Sequence, residues 1–133
     1  MSLKPVALIS ALTILLVLLT LSCSAQPMAE ADALRQLREL TKGGRMPTEA
    51  AVEEIERSFR GTQTGALARL LRARVRFENK DFRGAGVVLN SDEFERLTKV
   101  ADYVLWLRAR SHLGTGDHAA AMADLERLIS SHP

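Results

Sequence analysis

The stretch Leu71-Arg72-Ala73-Arg74-Val75-Arg76-Phe77-Glu78-Asn79-Lys80-Asp81-Phe82-Arg83-Gly84-Ala85 decides the fold. It returns 36 residues later, without gaps, as Leu107-Arg108-Ala109-Arg110-Ser111-His112-Leu113-Gly114-Thr115-Gly116-Asp117-His118-Ala119-Ala120-Ala121. The leucine, both outer arginines, the alanine between them, the aspartate and the last alanine are identical. Each copy reads as the end of one helix, a tight turn and the start of the next. A repeat of this length built on a helix pair predicts a solenoid. One amphipathic pair cannot bury its apolar face alone, whereas stacked pairs cover one another. Ala73, Ala85, Ala109 and Ala121 are small enough for close helix approach. Asp81 and Asp117 stand where a side chain can cap the free amides of the following helix.

Outward from these copies the chain keeps a helical period. Apolar residues recur at three and four, and no segment sustains an alternation of two. After the first 25 residues only Pro27, Pro47 and Pro133 interrupt the chain. The pattern predicts an all-α fold of six helices, an antiparallel helix-pair solenoid. They run over about 28–42, 48–59, 63–79, 81–89, 94 or 98–113, and 117–130. Gly43-Gly44, Gly61, and Gly114 with Gly116 supply the stops. Ser91-Asp92 with Glu95 reads as a capping signal, which places a break near Asn90. Residues 26–133 form the predicted repeat domain, with the best repeats over 66–99 and 102–133.

The segment before that domain reads as an export signal. Lys4 precedes an apolar run from Val6 to Leu21, sixteen residues interrupted only by Ser10, Thr13 and Thr20. As a helix it spans roughly 24 Å, short of a bilayer core of about 30 Å. Small residues follow it, as in a cleaved leader. Cys23 and Ala25 occupy the −3 and −1 positions of a cleavage site that ends residues 1–25. Cys23 also sits where bacterial lipoprotein signals place the cysteine that becomes lipidated, and an uncleaved anchor is the third alternative. All three predict a location outside the cytoplasm, in the periplasm or tethered to a membrane.

Composition narrows the function classes. The 133 residues carry 18 Lys+Arg against 16 Asp+Glu, a formal charge of +2, and aromatic residues are 5%. The balance lacks the basic excess of a nucleic-acid binder, so no nucleic-acid partner is expected. One cysteine excludes an internal disulfide framework. The length allows about one small domain. No nucleotide-binding glycine loop, CxxC or HExxH occurs, and no cofactor is expected.

The last segment resembles a tetratricopeptide repeat. Ala109 holds the small first-helix position, Gly116-Asp117-His118 the turn, and Ala121 the close-packing alanine. Leu125 and Leu128 follow, and Pro133 closes the unit. The earlier copy has Lys80-Asp81-Phe82 at the turn and no closing proline, and the connection from Asn90 to Arg96 has no place in a 34-residue unit. A narrower resemblance is to the N-terminal superhelix of soluble lytic murein transglycosylases. It rests on Ala101-Asp102-Tyr103-Val104-Leu105-Trp106-Leu107-Arg108-Ala109, on Gly116 to Ala121, and on His132-Pro133. That resemblance implies a helical solenoid ahead of a peptidoglycan-cleaving domain whose catalytic glutamate lies in the later domain. No catalytic residue carries over to these residues. Periplasmic repeat proteins that assist envelope assembly share the pattern. The expected function is therefore an exported, non-catalytic scaffold for protein or cell-envelope contacts, with an envelope protein or peptidoglycan-associated partner. The alternative is the non-catalytic front of a lytic transglycosylase. The small number of helix pairs predicts a truncated array or one completed by a partner.

Within the repeats, some residues invite a chemical role. Between Arg57 and Arg83 eight basic residues meet only Glu78 and Asp81. Arg69, Arg72 and Arg76 follow helical spacing and form a candidate basic stripe for an acidic partner, anionic lipid or wall polymer. Ion pairing to acidic residues of the preceding helix is the alternative. Tyr103, Trp106 and Arg110 can line a groove on the fifth predicted helix, although aromatics at that spacing also pack as core. His112 and His118 flank a turn, and a metal there needs a third ligand. Glu53-Glu54, Asp92-Glu93 and Glu95 read as solvated charge rather than as acid/base pairs, which need a shared cleft.

Overall fold

The structure is a computed structural model and describes residues 28–131. The segment expected to be an export signal, Cys23 and His132-Pro133 lie outside the described residues. Among the described residues seven α-helices follow one another: α1 (Glu30–Leu40), α2 (Glu49–Ser58), α3 (Gln63–Glu78), α4 (Phe82–Leu89), α5 (Glu93–Leu97), α6 (Ala101–Thr115) and α7 (His118–Ser131), with a 3-10 turn at Lys42–Gly44. No strand occurs among the described residues. The fold is all-α.

Local chemistry explains the boundaries. Thr48 accepts a hydrogen bond from the Ala51 amide at 3.4 Å, and Thr62 accepts one from the Gly65 amide at 3.2 Å, so α2 and α3 both start on threonine caps. The turns after α3 and α6 repeat each other bond for bond. Asp81 Oδ1 accepts from the Gly84 amide at 2.9 Å, and Asp117 Oδ1 accepts from the Ala120 amide at 3.0 Å. The Asp81 amide donates to the Arg76 carbonyl at 2.9 Å, and the Asp117 amide donates to the His112 carbonyl at 2.9 Å. Each pattern is a left-handed helix ending, with Lys80 at φ 66° and Gly116 at φ 78°.

Lysine pays a steric penalty in that conformation that glycine does not. Lys80→Gly is therefore expected to raise stability by about 0.5–1 kcal/mol, the left-handed strain outweighing glycine's added unfolded-state entropy. A urea midpoint moving upward checks it; an unchanged or lower midpoint contradicts it.

Of the two starts expected for the fifth predicted helix, the one at Phe94 fails and the one near Thr98 is close to the observed Ala101. Thr98 takes an extended backbone, φ −133° and ψ 169°, and its hydroxyl donates to the Phe94 carbonyl. That bond ends the five-residue α5 and separates it from α6. The cap reading of Ser91-Asp92 also changes. Asp92 makes no side-chain cap, while Ser91 Oγ accepts from the Glu93 amide at 3.3 Å.

Two apolar clusters share α3. Its first half contributes Ala68 to a cluster with Ala33, Leu37, Val52 and Ile55 from α1 and α2. Its second half contributes Ala73 and Phe77 to a larger one with Ala85, Val88, Leu89, Phe94, Val104 and Leu107. α2 packs chiefly on α3, α3 on α4, α4 on α6 and α6 on α7, and α3 also touches α1, α5 and α6. Ala73, Ala85, Ala109 and Ala121 are all buried, as close approach requires. Gly114 has the same purpose on α6: the Phe82 ring occupies the space a Cβ would take.

On α7 the apolar stripe is narrower than its sequence predicts. Ala121 is buried, but Met122 and Ile129 face outward, and the buried polar residue is Asp124. Asp124 accepts from Arg108 Nε at 2.8 Å and makes a second bond to the same guanidinium. That planar, two-bond pairing satisfies a carboxylate that burial otherwise penalises. It also holds the Arg108 guanidinium above its usual pKa, first through the hydrogen bonds, which outweigh the opposing effect of burial, with the Asp124 charge assisting.

Candidate functional site

The sixteen residues of α3 present two different electrostatic faces. At 100° per residue, Arg69, Arg72 and Arg76 share one side and Arg74 lies roughly opposite. The first side turns toward α2 and α5. Glu56 accepts from Arg69 Nε at 3.0 Å and from Arg72 Nε at 2.6 Å. Arg76 Nε lies 2.6 Å from Glu49, and Arg69 reaches Glu93 at 2.9 Å. Ser91 Oγ accepts from Arg69 as well, at 2.9 Å. Glu56 is the centre of this network and only 8% exposed. Burial alone raises its pKa, but hydrogen bonds from Arg72 and Arg69, with their charges, outweigh burial and hold it below the usual carboxylate value. The Arg72 guanidinium is raised in return, first by its bond to Glu56.

The stripe expected at Arg69, Arg72 and Arg76 thus exists as a row, and its charge is matched inside the chain. The acids that match it are Glu49 and Glu56 on α2 and Glu93 on α5. Of the other acidic residues considered, Glu54 pairs with Arg57, Asp92 with Arg96, and Glu95 with Arg127. Glu53 and Glu54 are exposed. Asp92 and Glu95 do line one cleft, of about 220 Å³, but each is paired with an arginine, Arg96 and Arg127.

The opposite side of α3 is different. There α1, α3 and one residue of α6 enclose an open trough of about 520 Å³, within the about 300–1,000 Å³ typical of ligand pockets. Leu34 and Leu37 of α1 form one wall. Leu67, Leu70 and Leu71 of α3 form the floor, and Tyr103 of α6 closes one end. Arg38 and Arg74 stand at the rim, and no carboxylate lines the trough. Among the described residues neither arginine has an Asp or Glu oxygen within ion-pairing distance, although ion pairs are abundant elsewhere.

Tyr103 links this trough to the rest of α6. Its ring stacks on Trp106 at 5.5 Å between centroids. The Arg110 guanidinium lies 4.7 Å from the Trp106 ring centre and 5.0 Å from that of Phe77. Trp106 is 38% exposed, and of the two aromatics it is Tyr103 that packs on the core. Tyr103 is half-buried against the larger cluster and Arg110 is exposed. Arg110 stays at the surface because its flat cation is held over two ring faces rather than by a carboxylate. Arg38 and Arg74 are the site residues that sequence reasoning missed. An unmatched Arg74 four residues before Glu78 looks like half of an ordinary helical pair, and only the packing of α1 against α3 places Arg38 beside it.

A second cavity, about 630 Å³, opens between α4 and the α6–α7 turn. It holds Arg83, Arg108, His112 and Asp124. Asp124 and Arg108 are already joined, and His112 Nε2 lies 3.6 Å from the same carboxylate. His118 is exposed and stands apart. Among the described residues no three His, Cys, Asp or Glu side chains cluster as a metal would need. No helix among them is long and apolar enough to cross a membrane.

Comparison with protein-family models, with curated proteins and with solved structures gives no match.

Proposed function

We propose that this chain is an exported helical-repeat scaffold of tetratricopeptide-like kind, which holds a partner of the cell envelope without itself catalysing a reaction. One observation carries the reading: a trough on the α1–α3–α6 side, open to solvent, whose leucines and tyrosine are half-buried apart from the buried Leu37. Ligand and partner sites are usually concave, with apolar walls and a few polar groups placed around them. The duplicated turn after α3 and α6 supports the repeat architecture, since the same bonds recur at the spacing of the sequence repeat. Export rests on the apolar run from Val6 to Leu21 and the small residues after it.

Photo-crosslinking in the native host tests the reading. A crosslinking amino acid in place of Leu34 or Tyr103 is expected to give discrete adducts with an envelope component. The same group in place of Val87, which is 70% exposed on α4, is expected to give none. Adducts at Val87 but not in the trough place the contact elsewhere and overturn the proposal. Mass measurement of the mature N-terminus separates a chain starting at Gln26 from one beginning at a lipidated Cys23; a chain still starting at Met1 in the cytoplasm contradicts export.

A further inference from the structure

We infer that the trough selects an acidic amphipathic peptide segment, one that presents aliphatic side chains to the leucine floor and carboxylates to Arg38 and Arg74. The inference rests on the interaction reading above and adds the chemical class of the partner.

The contrast between the two faces of α3 carries it. Arg69, Arg72 and Arg76 each meet a carboxylate at 3.0 Å or less. Arg74, on the same helix, meets none among the described residues, and neither does Arg38 across the trough. Both cations border an apolar surface made by Leu34, Leu67, Leu70 and Tyr103, with no acid in its lining. An uncharged apolar ligand leaves both guanidiniums with only water as partners. A basic ligand is repelled. A peptide with carboxylates flanking its apolar face satisfies both parts at once, since each guanidinium offers two parallel N–H groups to a carboxylate. A surface with cations bordering an apolar area thereby gains selectivity as well as contact area. Helix-in-groove binding of an amphipathic segment uses this combination of anchors at three and four with a charged flank.

Fluorescence anisotropy with the purified full chain tests the inference. Two labelled synthetic peptides of equal length serve as probes. Both carry leucines spaced three and four apart; one has glutamates flanking them, the other glutamines. The glutamate peptide is expected to bind about five- to ten-fold tighter at low salt, the size of two exposed ion pairs. The advantage is expected to fall below about two-fold at 0.5 M salt, where screening is short-ranged. The double variant Arg38→Gln with Arg74→Gln abolishes the preference and keeps binding to the glutamine peptide. Arg83→Gln, an exposed cation away from the trough, leaves the preference intact. Both arginines are exposed, so the double variant keeps its helical circular dichroism.

Equal affinity for the two peptides overturns the acidic class. If Leu34→Ser then weakens both equally, the trough remains the contact site and only its selectivity is wrong. Failure of both peptides to bind, with soluble peptidoglycan glycan strands binding instead and Leu34→Ser weakening them, overturns the peptide inference and keeps the trough. Failure of both peptides and of the glycan strands overturns both readings.

Discussion

Replacing Phe94 by alanine is expected to cost about 3–5 kcal/mol, the range for removing a buried aromatic ring. Phe94 is 1% exposed and heads the fully buried side chains in size. It belongs to a five-residue helix with little stability of its own, because so short a helix cannot offset its nucleation cost. The ring fills the space among Ala73, Phe77, Ala85, Val88, Leu89, Val104 and Leu107, which come from α3, α4 and α6. Its loss leaves a cavity at the point where three helices meet. It also frees α5, which presents Glu93 to Arg69 and Glu95 to Arg127. A domain of this size has a total stability of only about 5–15 kcal/mol, so the variant is expected to be partly unfolded at room temperature. Phe94→Leu is expected to lose about 1–2 kcal/mol, since most of the volume remains. Urea titrations followed by circular dichroism measure both. A loss under about 1 kcal/mol for alanine contradicts the position of α5 in the core.

The second large effect is electrostatic. Glu56→Ala is expected to destabilise by about 2–3 kcal/mol, below the about 3–5 kcal/mol for breaking a fully buried pair. The discount reflects side chains of Arg69 and Arg72 that are 22% and 16% exposed, and the residual partners Glu93 and Glu49. In thermal unfolding that corresponds to a fall in Tm of roughly 10–20 °C for a domain of about this length. The pH dependence follows from the direction of the Glu56 shift. Burial raises its pKa, and the stronger hydrogen bonds and charges of Arg72 and Arg69 bring the net value below the usual 4.5. A carboxylate depressed in the folded state binds fewer protons there than in the unfolded chain. Its stabilisation is therefore full above the usual carboxylate pKa and is lost as pH falls through the depressed folded value. The wild type and Glu56→Ala are expected to differ most near neutrality and to converge in acid. A constant gap from neutrality down to the acid limit contradicts the assignment of the network to Glu56.

Much of this chain was legible without coordinates. The all-α class, five of the helix positions and the turn at Asp81 and Asp117 follow from local rules. Apolar spacing, a capping side chain and a glycine stop each act within a few residues, so sequence order suffices to find them. The buried alanines were legible for a similar reason: a small residue recurring at a fixed place beside a turn has few uses other than close packing. The ion pairs of Arg69, Arg72 and Arg76 were one of the two readings their spacing allowed, and the structure selects it. Helical spacing placed the three on one face, but whether that face met acids or solvent depended on α2 lying alongside.

Other features were decided only by tertiary structure. The connection after Asn90 read as an awkward insertion between repeats, yet it carries the largest fully buried side chain. Five residues hold too little periodic signal to separate a helix from a loop, and the burial of Phe94 comes from helices distant in sequence. Which of Tyr103 and Trp106 would pack was open in the sequence; Trp106 lies at the surface, because the buried face of α6 is filled by Val104, Leu105, Leu107 and Ala109. The trough itself has residues from 34 to 103. Its floor of leucines looks, in the sequence, like any buried stripe. That the trough stays open to solvent, with Arg38 and Arg74 beside it, depends on the angle and spacing at which α1, α3 and α6 pack. Local order specified the helices and turns of this protein because their bonds close within one helical turn. The open trough and the unmatched charges belong to the packing, where residues nearly seventy apart share one surface.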